Sequence, residues 1–558
     1  MMEDGKWREG FKAATPELSG PRFRRKLKMK ILEMQVLLRE NNRNVDGCDC
    51  NKESGPSASS SNRRLAEAKQ AVLPALTKTF SKFVWATGGH SASAGHGNLY
   101  NESYTAMMEH SVQPIFESVG IAFQGRNYAM GGMRSAPEFA LCQESIFGTD
   151  ADVITWDFGM TDVPNSWKHF LYLSRAGTHR NRPAFVGINI HGFDFEQKVK
   201  VYKTAEKQGL TTFYLSGKVI DSMEEVAPDM FGMNQGEIDA IPEYLRYFKC
   251  KNEIEKSDPG CQENKYNDAL CSNRKHKAPW HPGWKSNSLV GNLMAFFLIE
   301  NLETAVGELA KETFDPVDKL QELKDEEQKD YDTFAKDSTL EDKPIPGFLE
   351  DSIISGVSPE VIHHSPAICH TALAPSQLRY EGILTETNLT GIWDYEQGVS
   401  KVAADKGKSD GPMRIVFDED QRNPPCPVLT KVDYKDYFYA NEKDGWTSMT
   451  IPNDSEKEEY GPWDPKGHIV VCFLICDWGK CADGDVREPA LKDGKLKMKV
   501  NDVSVVELTE AGECSIMKNE DGYSFKPDNT GKFKIDVLVE PAESGTKQYT
   551  KITSVVVF

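Results

Sequence analysis

Apolar runs alternate with amphipathic segments in the first half of the chain, between about residues 82 and 312. Between the runs, apolar positions recur every three or four residues, which is typical of helices, and the longest such segment spans residues 288–312. Strand and helix therefore alternate, which predicts one parallel sheet with helices on both faces. The apolar runs predict five strands, at residues 83–86, 120–123, 153–156, 185–190 and 211–215.

The pattern changes after about residue 383, where helical spacing stops and short strands bounded by turn residues begin. Asp-Gly pairs occur at residues 493–494 and 521–522, and such pairs form the tight turns that join antiparallel strands. We therefore expect an all-β domain, built as an antiparallel sandwich. Its predicted strands include residues 413–417, 468–476, 497–500, 503–508, 533–539 and 550–558.

A chain of 558 residues is too long for one ordinary hydrophobic core, so two folded domains with linkers are expected. We place the α/β domain at residues 81–315 and the β-sandwich at residues 381–558. Residues 1–80 are expected to be a disordered or tail region, because they include a linker rich in Ser and Gly. Residues 316–380 are expected to be a charged linker, whose first half is either a solvated helix or a helix that binds a partner.

The formal net charge of −19 argues against nucleic acid as a partner, because phosphate binding needs a basic surface. No run of about 18 apolar residues is present, so no transmembrane segment is expected. A basic run at residues 22–30 precedes a short apolar patch, which Glu33 and Gln35 interrupt. This segment is a damaged secretory signal, a basic amphipathic helix or a disordered tail.

The chain has 12 cysteines but no pair of Cys-x-x-Cys knuckles, which favours disulfide bonds over a structural zinc site. Cys250, Cys261 and Cys271 share one polar loop, so at least one disulfide is expected among them. Cys472 and Cys476 alternate along one strand, which allows buried thiols there in place of disulfides. The cysteines favour a secreted or endomembrane glycoprotein, although no clear signal peptide is recognised. Three glycosylation sequons agree with this expectation, at Asn101, Asn388 and Asn453.

The first predicted strand ends in a glycine-rich turn, GGHSASAG at residues 88–95. Sites of parallel α/β proteins lie at the carboxyl ends of strands. Serine is a weak nucleophile until a base takes its proton, and a glycine-flanked turn exposes both the hydroxyl and backbone N–H groups. The turn resembles the first block of the SGNH/GDSL hydrolase family, Gly-Asp-Ser-x-Ser/Thr-x-Gly, with His90 in place of Asp. The matching positions are Gly89, Ser91, Ser93 and Gly95, and Ser91 stands at the position of the nucleophile.

Three further segments resemble later blocks of this family. The resemblance implies that Gly132, in the segment NYAMGG after the second strand, supplies a backbone N–H to the oxyanion hole. Thr161, in GMTD after the third strand, occupies the position of the oxyanion asparagine. His281, followed by proline just before the last helix, stands at the position of the catalytic base. The family's orienting Asp is Ala278 here, so the base works in a dyad or takes another partner, such as a backbone carbonyl or Asp268.

The resemblance covers residues from about 83 to 310 and implies a flavodoxin-like, three-layer α/β/α fold. It also implies a serine hydrolase that needs no cofactor or metal ion and acts on O-acyl esters of a carbohydrate or of a small lipid. Similar sequences with the same modified blocks occur among SGNH-like proteins of unicellular algae. The alternative is a catalytically degenerate surface or matrix protein that binds glycan, because three polar positions depart from the family pattern: His90, Thr161 and Ala278.

The same segments also allow other kinds of site, which their residue spacing helps to distinguish. The first turn has neither the GxxxxGKS nor the GxGxxG pattern of phosphate-binding loops. His90 and His96 lack carboxylate partners at helical spacing, which argues against a metal site. In the C-terminal domain, four tryptophans either pack in the core or stack on the sugar rings of a glycan: Trp393, Trp446, Trp463 and Trp478.

Overall fold

The computed structural model describes most of the α/β part of the chain and a set of shorter segments in the C-terminal part. The N-terminal ranges are 20–46, 81–95, 103–162, 166–189, 195–216, 284–336 and 367–371. The C-terminal ranges are 393–394, 399–400, 414–416, 437–443, 445–451, 468–473, 496–501, 503–508, 514–517, 525–529, 533–541, 545 and 549–557. The expected disulfide loop at residues 250–271 and the three sequons lie outside the described residues.

Five parallel strands form the central sheet of the α/β unit, in the order β2-β1-β3-β4-β5. All four pairings between neighbouring strands are parallel. The order is that of flavodoxin-like sheets, in which the second strand lies on one side of the first strand and the later strands lie on its other side. The expected parallel sheet is therefore confirmed, with strands β1 (Ser81–Thr87), β2 (Ile121–Asn127), β3 (Val153–Trp156), β4 (Ala184–Asn189) and β5 (Thr212–Ser216).

Helices cover both faces of this sheet and complete the three layers. The side chains of β1 alternate between the two layers: Phe83 and Trp85 lie in one core and Ala86 in the other, as the period of a strand requires. Next to β1 in the chain is the short helix α2 (Ser91–Ala94). One face carries α1 (Gly20–Asp46), α3 (Tyr104–Ser118) and α7 (Trp284–Leu309), and the other carries α4 (Gln143–Phe147), α5 (Ser166–Ala176) and α6 (Phe195–Lys207).

The helix α1 differs from the tail that the sequence predicted for this region, because it packs on the sheet. Phe23 and Leu27 are buried in the same core as β1. Lys30 forms an ion pair of 3.0 Å with the buried Asp152, immediately before β3. The apolar side chains of α1 thus pack in the core, and its Lys30 forms an ion pair, as the amphipathic-helix alternative predicted.

The acidic segment after α7 forms the helix α8 (Pro316–Lys336), as expected for its first half, but this helix packs against α1 and is not a free linker. Its Asp330 accepts from two arginines of α1, Arg22 at 2.9 Å and Arg25 at 2.6 Å. Glu327 of α8 pairs with Lys26 of α1 at 2.7 Å. The basic run and the acidic run therefore neutralise each other, although the paired residues are more than 300 positions apart in the chain.

Two antiparallel sheets form the C-terminal unit, and the expected sandwich is confirmed. One sheet has the order β15-β12-β17-β10-β9, with β6 also paired to β17, and the other has the order β11-β16-β13-β14. Apolar side chains of both sheets share one buried core. The strands are β6 (Ile368–Thr371), β9 (Arg414–Val416), β10 (Tyr437–Asn441), β11 (Thr447–Ile451), β12 (Ile469–Phe473), β13 (Leu496–Val500), β14 (Val503–Leu508), β15 (Cys514–Ile516), β16 (Phe533–Val539) and β17 (Tyr549–Val557), besides a pair formed by β7 (Trp393–Asp394) and β8 (Val399–Ser400).

Two disulfide bonds lie within the described ranges. Cys142 of the α/β unit is bonded to Cys369 of β6, and Cys472 of β12 is bonded to Cys514 of β15. The expectation of a buried thiol at Cys472 is therefore wrong: the residue is buried, but β15 lies beside β12 and brings a second cysteine to it. In the part of the chain that the structure describes, no helix combines the length and apolar character needed to cross a membrane.

Candidate active site

The candidate site lies at the carboxyl edge of the sheet, where the turns after β1, β2 and β3 meet. β1 lies between β2 and β3, and the connections after β1 and after β3 lead to helices on opposite faces of the sheet. Such switch points are where open α/β sheets bind ligands. Backbone hydrogen bonds join the three turns. Met130 N donates to Gly89 O at 3.0 Å, and His90 N donates to Asp157 O at 3.0 Å.

The turn after β1 is tight, and its glycines explain why Ser91 is presented there. A Cβ on Gly89 would lie 2.2 Å from Ser93 Oγ and 3.0 Å from Asp157 O, so a larger residue would not fit without a shift. Ser91 is the first residue of α2, which ends at Gly95 with a left-handed φ of 77°. Ser91 is 9% exposed, so the hydroxyl-bearing residue lies at the margin of the packed interior.

His90 performs the structural task that a carboxylate would perform at this position. Its Nδ1 accepts a hydrogen bond from Ala92 N at 3.1 Å, which caps the first turn of α2. Burial lowers the pKa of His90 from 6.5 to about 4, so the ring is neutral at neutral pH and Nδ1 is available as an acceptor. His90 therefore caps α2 with a ring nitrogen, a role that the side chain of Asp can also fill at such a position.

Asp157, which directly follows β3, is a buried acid of the site that none of the sequence motifs marked. Its Oδ2 accepts from Ser93 Oγ at 2.6 Å and from Tyr104 OH at 3.1 Å. Its Oδ1 lies 3.9 Å from His90 Nε2. Burial and the nearby carboxylate raise the pKa of Tyr104 well above its usual range. A polar residue directly after an apolar run is the sequence signal that could have identified Asp157.

The turn after β2 is tied to the Ser91 turn by an asparagine side chain. Asn127 Nδ2 donates to Ser93 O at 3.0 Å, and Asn127 Oδ1 accepts from Ala129 N at 3.1 Å. Further along, Gly132 has a φ of 66°, a backbone conformation that residues with a Cβ rarely adopt. The structure therefore requires glycine at Gly132, the residue that the resemblance places in the oxyanion hole.

The turn after β3 contains Thr161, whose hydroxyl donates to Phe158 O at 3.2 Å. A threonine hydroxyl has one proton, so in this conformation that proton is directed at the main chain. The Thr161 hydroxyl is thus a weaker substitute for the family's asparagine than its position in the sequence suggests.

Asp162 connects this turn to the segment that follows Gly132. Its carboxylate accepts from Ser135 N at 2.9 Å, from the Ser135 hydroxyl and from Trp156 Nε1 at 3.1 Å. Burial raises the pKa of Asp162 to about 6, against the effect of these donors. Trp156 is fully buried, as expected for a packing residue. Asp162 therefore fixes the relative position of the turns after β2 and β3.

The structure brings three of the four predicted site residues to one edge of the sheet: Ser91, Gly132 and Thr161 lie on adjacent, mutually bonded turns. The fourth, His281, lies outside the described residues, as do Ala278 and Asp268. Helix α7 begins at Trp284, just after His281, and packs closely on α3: a Cβ on Gly291 would lie 2.6 Å from Tyr104 O.

Other features considered from the sequence lie only partly within the described residues. Within the described ranges, no group of three or more His, Cys, Asp or Glu side chains is placed to hold a metal ion. Of the four C-terminal tryptophans, Trp446 is half-buried, with Lys499 Nζ 4.6 Å from its ring centre. Trp463 and Trp478 lie outside the described residues, as does His96.

Comparison with known proteins gives only distant structural likenesses. No family model matches the sequence, and no curated protein matches it. A two-domain esterase active on acetylated mannans is 12% identical, with a TM-score of 0.34 over 88% of this chain and 94% of that chain. An alpha/beta hydrolase from the metagenome of Lake Arreo, Spain, is 13% identical, with a TM-score of 0.20 over 40% of this chain and 95% of that one. A GDSL-like lipase from Parabacteroides merdae is 9% identical, with a TM-score of 0.19 over 39% of this chain and 96% of that chain.

Proposed function

We propose that the chain is a serine ester hydrolase of the SGNH type, which acts on O-acyl esters of a carbohydrate or of a small lipid. The observation that carries this proposal is the presentation of Ser91. Ser91 begins the helix α2 within the glycine-bounded turn at the carboxyl end of β1, the strand next to the switch point of the sheet. Hydrogen bonds hold that turn from both sides, from Met130 to Gly89 and from His90 to Asp157.

In the proposed reaction, Ser91 Oγ attacks the ester carbonyl and forms an acyl-enzyme. His281 takes the proton from Ser91 and returns it to the leaving alcohol. A water molecule, activated by the same base, then releases the acid. The helix α7 starts three residues after His281 and packs against α3. Tyr104 of α3 contacts Asp157, which supports this role for His281.

The oxyanion formed on the carbonyl needs donors that are already in place. We assign this role mainly to the backbone N–H groups of Ser91 and Gly132. The Thr161 hydroxyl would have to rotate away from Phe158 O before it could donate to an oxyanion. It is therefore proposed as a minor donor.

The test is labelling of the folded full chain with a fluorophosphonate, followed by mass spectrometry of the labelled peptide. A fluorophosphonate reacts only with an activated serine, so the label should be found on Ser91. Ser91→Ala and His281→Ala should each abolish labelling and the hydrolysis of 4-nitrophenyl acetate. Ser118→Ala, which changes an exposed serine at the far end of α3, should change neither.

Substrate class is tested with the same preparation on two panels, O-acetylated polysaccharides and short-chain glycerides. Release of acetate from the first panel and not the second would assign a carbohydrate ester. If the folded chain neither reacts with the fluorophosphonate nor cleaves any ester, the hydrolase proposal fails. The degenerate glycan-binding protein then becomes the better description, and glycan binding by the chain would be measured by calorimetry.

A further inference from the structure

The β-sandwich and the α/β unit share a buried apolar surface. The sandwich sheet that contains β12 and β17 has one face in the sandwich core, but Val470 and Val556 belong to a different cluster. That cluster also contains Phe139 and Leu141 of the α/β unit. Both faces of this sheet are therefore covered, one by the second sheet and the other by the α/β unit.

Three specific bonds cross this surface at the same place. The Thr553 hydroxyl, on β17, donates to Glu138 Oε1 at 2.9 Å, and both residues are buried. The disulfide from Cys142 to Cys369 joins the end of the same α/β segment to β6, with a Cα–Cα distance of 5.0 Å. Ser145 Oγ donates to Cys369 O at 2.6 Å. These three bonds therefore hold the sandwich to residues 138–145 of the α/β unit.

The segment held in this way continues into the candidate site. Glu138 belongs to a wide turn, Ser135–Phe139, which follows the Gly132 turn in the chain and in which the backbone of Ala136 is extended. The first residue of that turn, Ser135, is bonded to Asp162, the neighbour of Thr161. The second, Ala136, accepts a hydrogen bond from the buried Lys168 Nζ at 3.1 Å. The wide turn thus has the candidate oxyanion residues on one side and the sandwich on the other.

We propose that the sandwich is a positioning partner of the hydrolase site: through Thr553 and Glu138 it fixes the turn that carries Gly132. This inference rests on the proposed function. Thr553 is a positioning residue, since it acts through Glu138 and touches neither substrate nor Ser91. Loss of the Thr553 hydroxyl removes a donor from a buried carboxyl group and loosens the wide turn, which misplaces the Gly132 N–H.

The test compares three variants of the full chain. Thr553→Val removes the hydroxyl at nearly constant volume, and Thr553→Ser restores it. Ser554→Ala is the matched control: Ser554 is the next residue of β17, is equally buried, and donates to Thr371 inside its own sheet at 3.2 Å. The readouts are kcat and KM for 4-nitrophenyl acetate, the rate of fluorophosphonate labelling, the thermal midpoint, and amide hydrogen exchange of residues 131–139.

Thr553→Val should lower kcat and the labelling rate by about tenfold with little change in KM, because small misplacements of catalytic groups have large effects on rate. Exchange of residues 131–139 should become faster. Thr553→Ser should recover most of both quantities. Ser554→Ala should leave them at wild-type values even where its thermal midpoint falls as far as that of Thr553→Val.

The possible failures are distinguishable. If the wild-type chain is labelled but Thr553→Val has unchanged kcat and unchanged exchange, the positioning role is wrong while the hydrolase proposal stands. If Ser554→Ala loses as much activity as Thr553→Val at an equal thermal midpoint, the effect is general destabilisation and the inference is again overturned. If the wild-type chain is never labelled, the hydrolase proposal and this inference fall together.

Discussion

The carboxylate of Asp157 accepts a hydrogen bond from Ser93 Oγ at 2.6 Å, and both side chains are buried beside the Ser91 turn. The two serines of this turn therefore have different tasks. Ser93 fixes the turn from within, whereas Ser91 lies at its margin as the proposed nucleophile. The resemblance to the SGNH/GDSL family placed Ser91 at the position of the nucleophile and gave Ser93 no role.

Alanine substitutions should separate the two tasks. Ser93→Ala removes a donor from a buried carboxylate and should lower the free energy of unfolding by about 1–3 kcal/mol. Ser91→Ala should abolish hydrolysis and should lower the free energy of unfolding by less than Ser93→Ala does. Urea unfolding and ester hydrolysis measure the two effects. Equal stability losses in the two variants would contradict this division.

Protonation of His90 should destabilise the fold in acid. Its pKa is about 4 in the folded chain against 6.5 for the free side chain, so the unfolded chain takes up the proton first as the pH falls. The stability is fully present above about pH 6.5 and is lost as the pH approaches about 4. Linkage gives a loss of roughly 2 kcal/mol between pH 7 and pH 5 from this group alone.

The matched variant is His90→Asn, which can cap α2 but does not titrate. The measured quantity is the free energy of unfolding of wild type minus that of the variant, at pH 7 and at pH 5. This difference should fall by roughly 2 kcal/mol on acidification. A difference that stays constant, or grows in acid, would show that His90 is not buried as the neutral cap.

The fold was predictable because its strands are covered on both faces and so read as continuous apolar runs. The run at residues 153–156 corresponds to β3 in full. The helix α1 was not predictable in the same way. Its ion pairs join residues far apart, such as Arg24 and Glu308 at 3.1 Å, and nothing in a local pattern shows that a basic run and a distant acidic run lie together.

The candidate site was predictable where glycine is required and less so where a polar side chain acts at a distance. Gly89 and Gly132 mark their turns through steric demands that are visible in the sequence. Asp157 has no neighbouring motif, and its importance follows from contacts with Ser93 and Tyr104 on other elements. The cap made by His90 appeared as a departure from the family, although it supplies an equivalent acceptor.

The contribution of Thr161 to the oxyanion hole should be small. Thr161→Val removes a hydroxyl that donates to Phe158 O, so kcat should fall by less than about tenfold, whereas loss of a preorganised oxyanion donor costs about 10²–10³ in kcat. Gly132→Ala is the contrasting variant, because φ at this position is 66° and a Cβ would strain the turn. It should lower kcat by about 10². A loss of that size in Thr161→Val would restore Thr161 as a main donor.

The pairing of α1 with α8 should contribute to stability in a salt-dependent way. Asp330 accepts from both Arg22 and Arg25, and the three side chains are 23%, 25% and 11% exposed. Asp330→Asn leaves the two arginines without that charge and should lower the free energy of unfolding by about 1 kcal/mol at low salt. The loss should shrink as sodium chloride is raised, because salt screens partly exposed charges.

The matched control is Asp315→Asn, which breaks the pair between Asp315 and Arg39 at the other end of α1. Those two side chains are 47% and 46% exposed, so water already screens the attraction and no measurable loss is expected. Urea unfolding at two salt concentrations measures both variants. Equal losses at Asp315 and Asp330, or a loss at Asp330 that salt does not change, would mean that α1 is held by its apolar contacts with the sheet, through Phe23 and Leu27, and not by its pairing with α8.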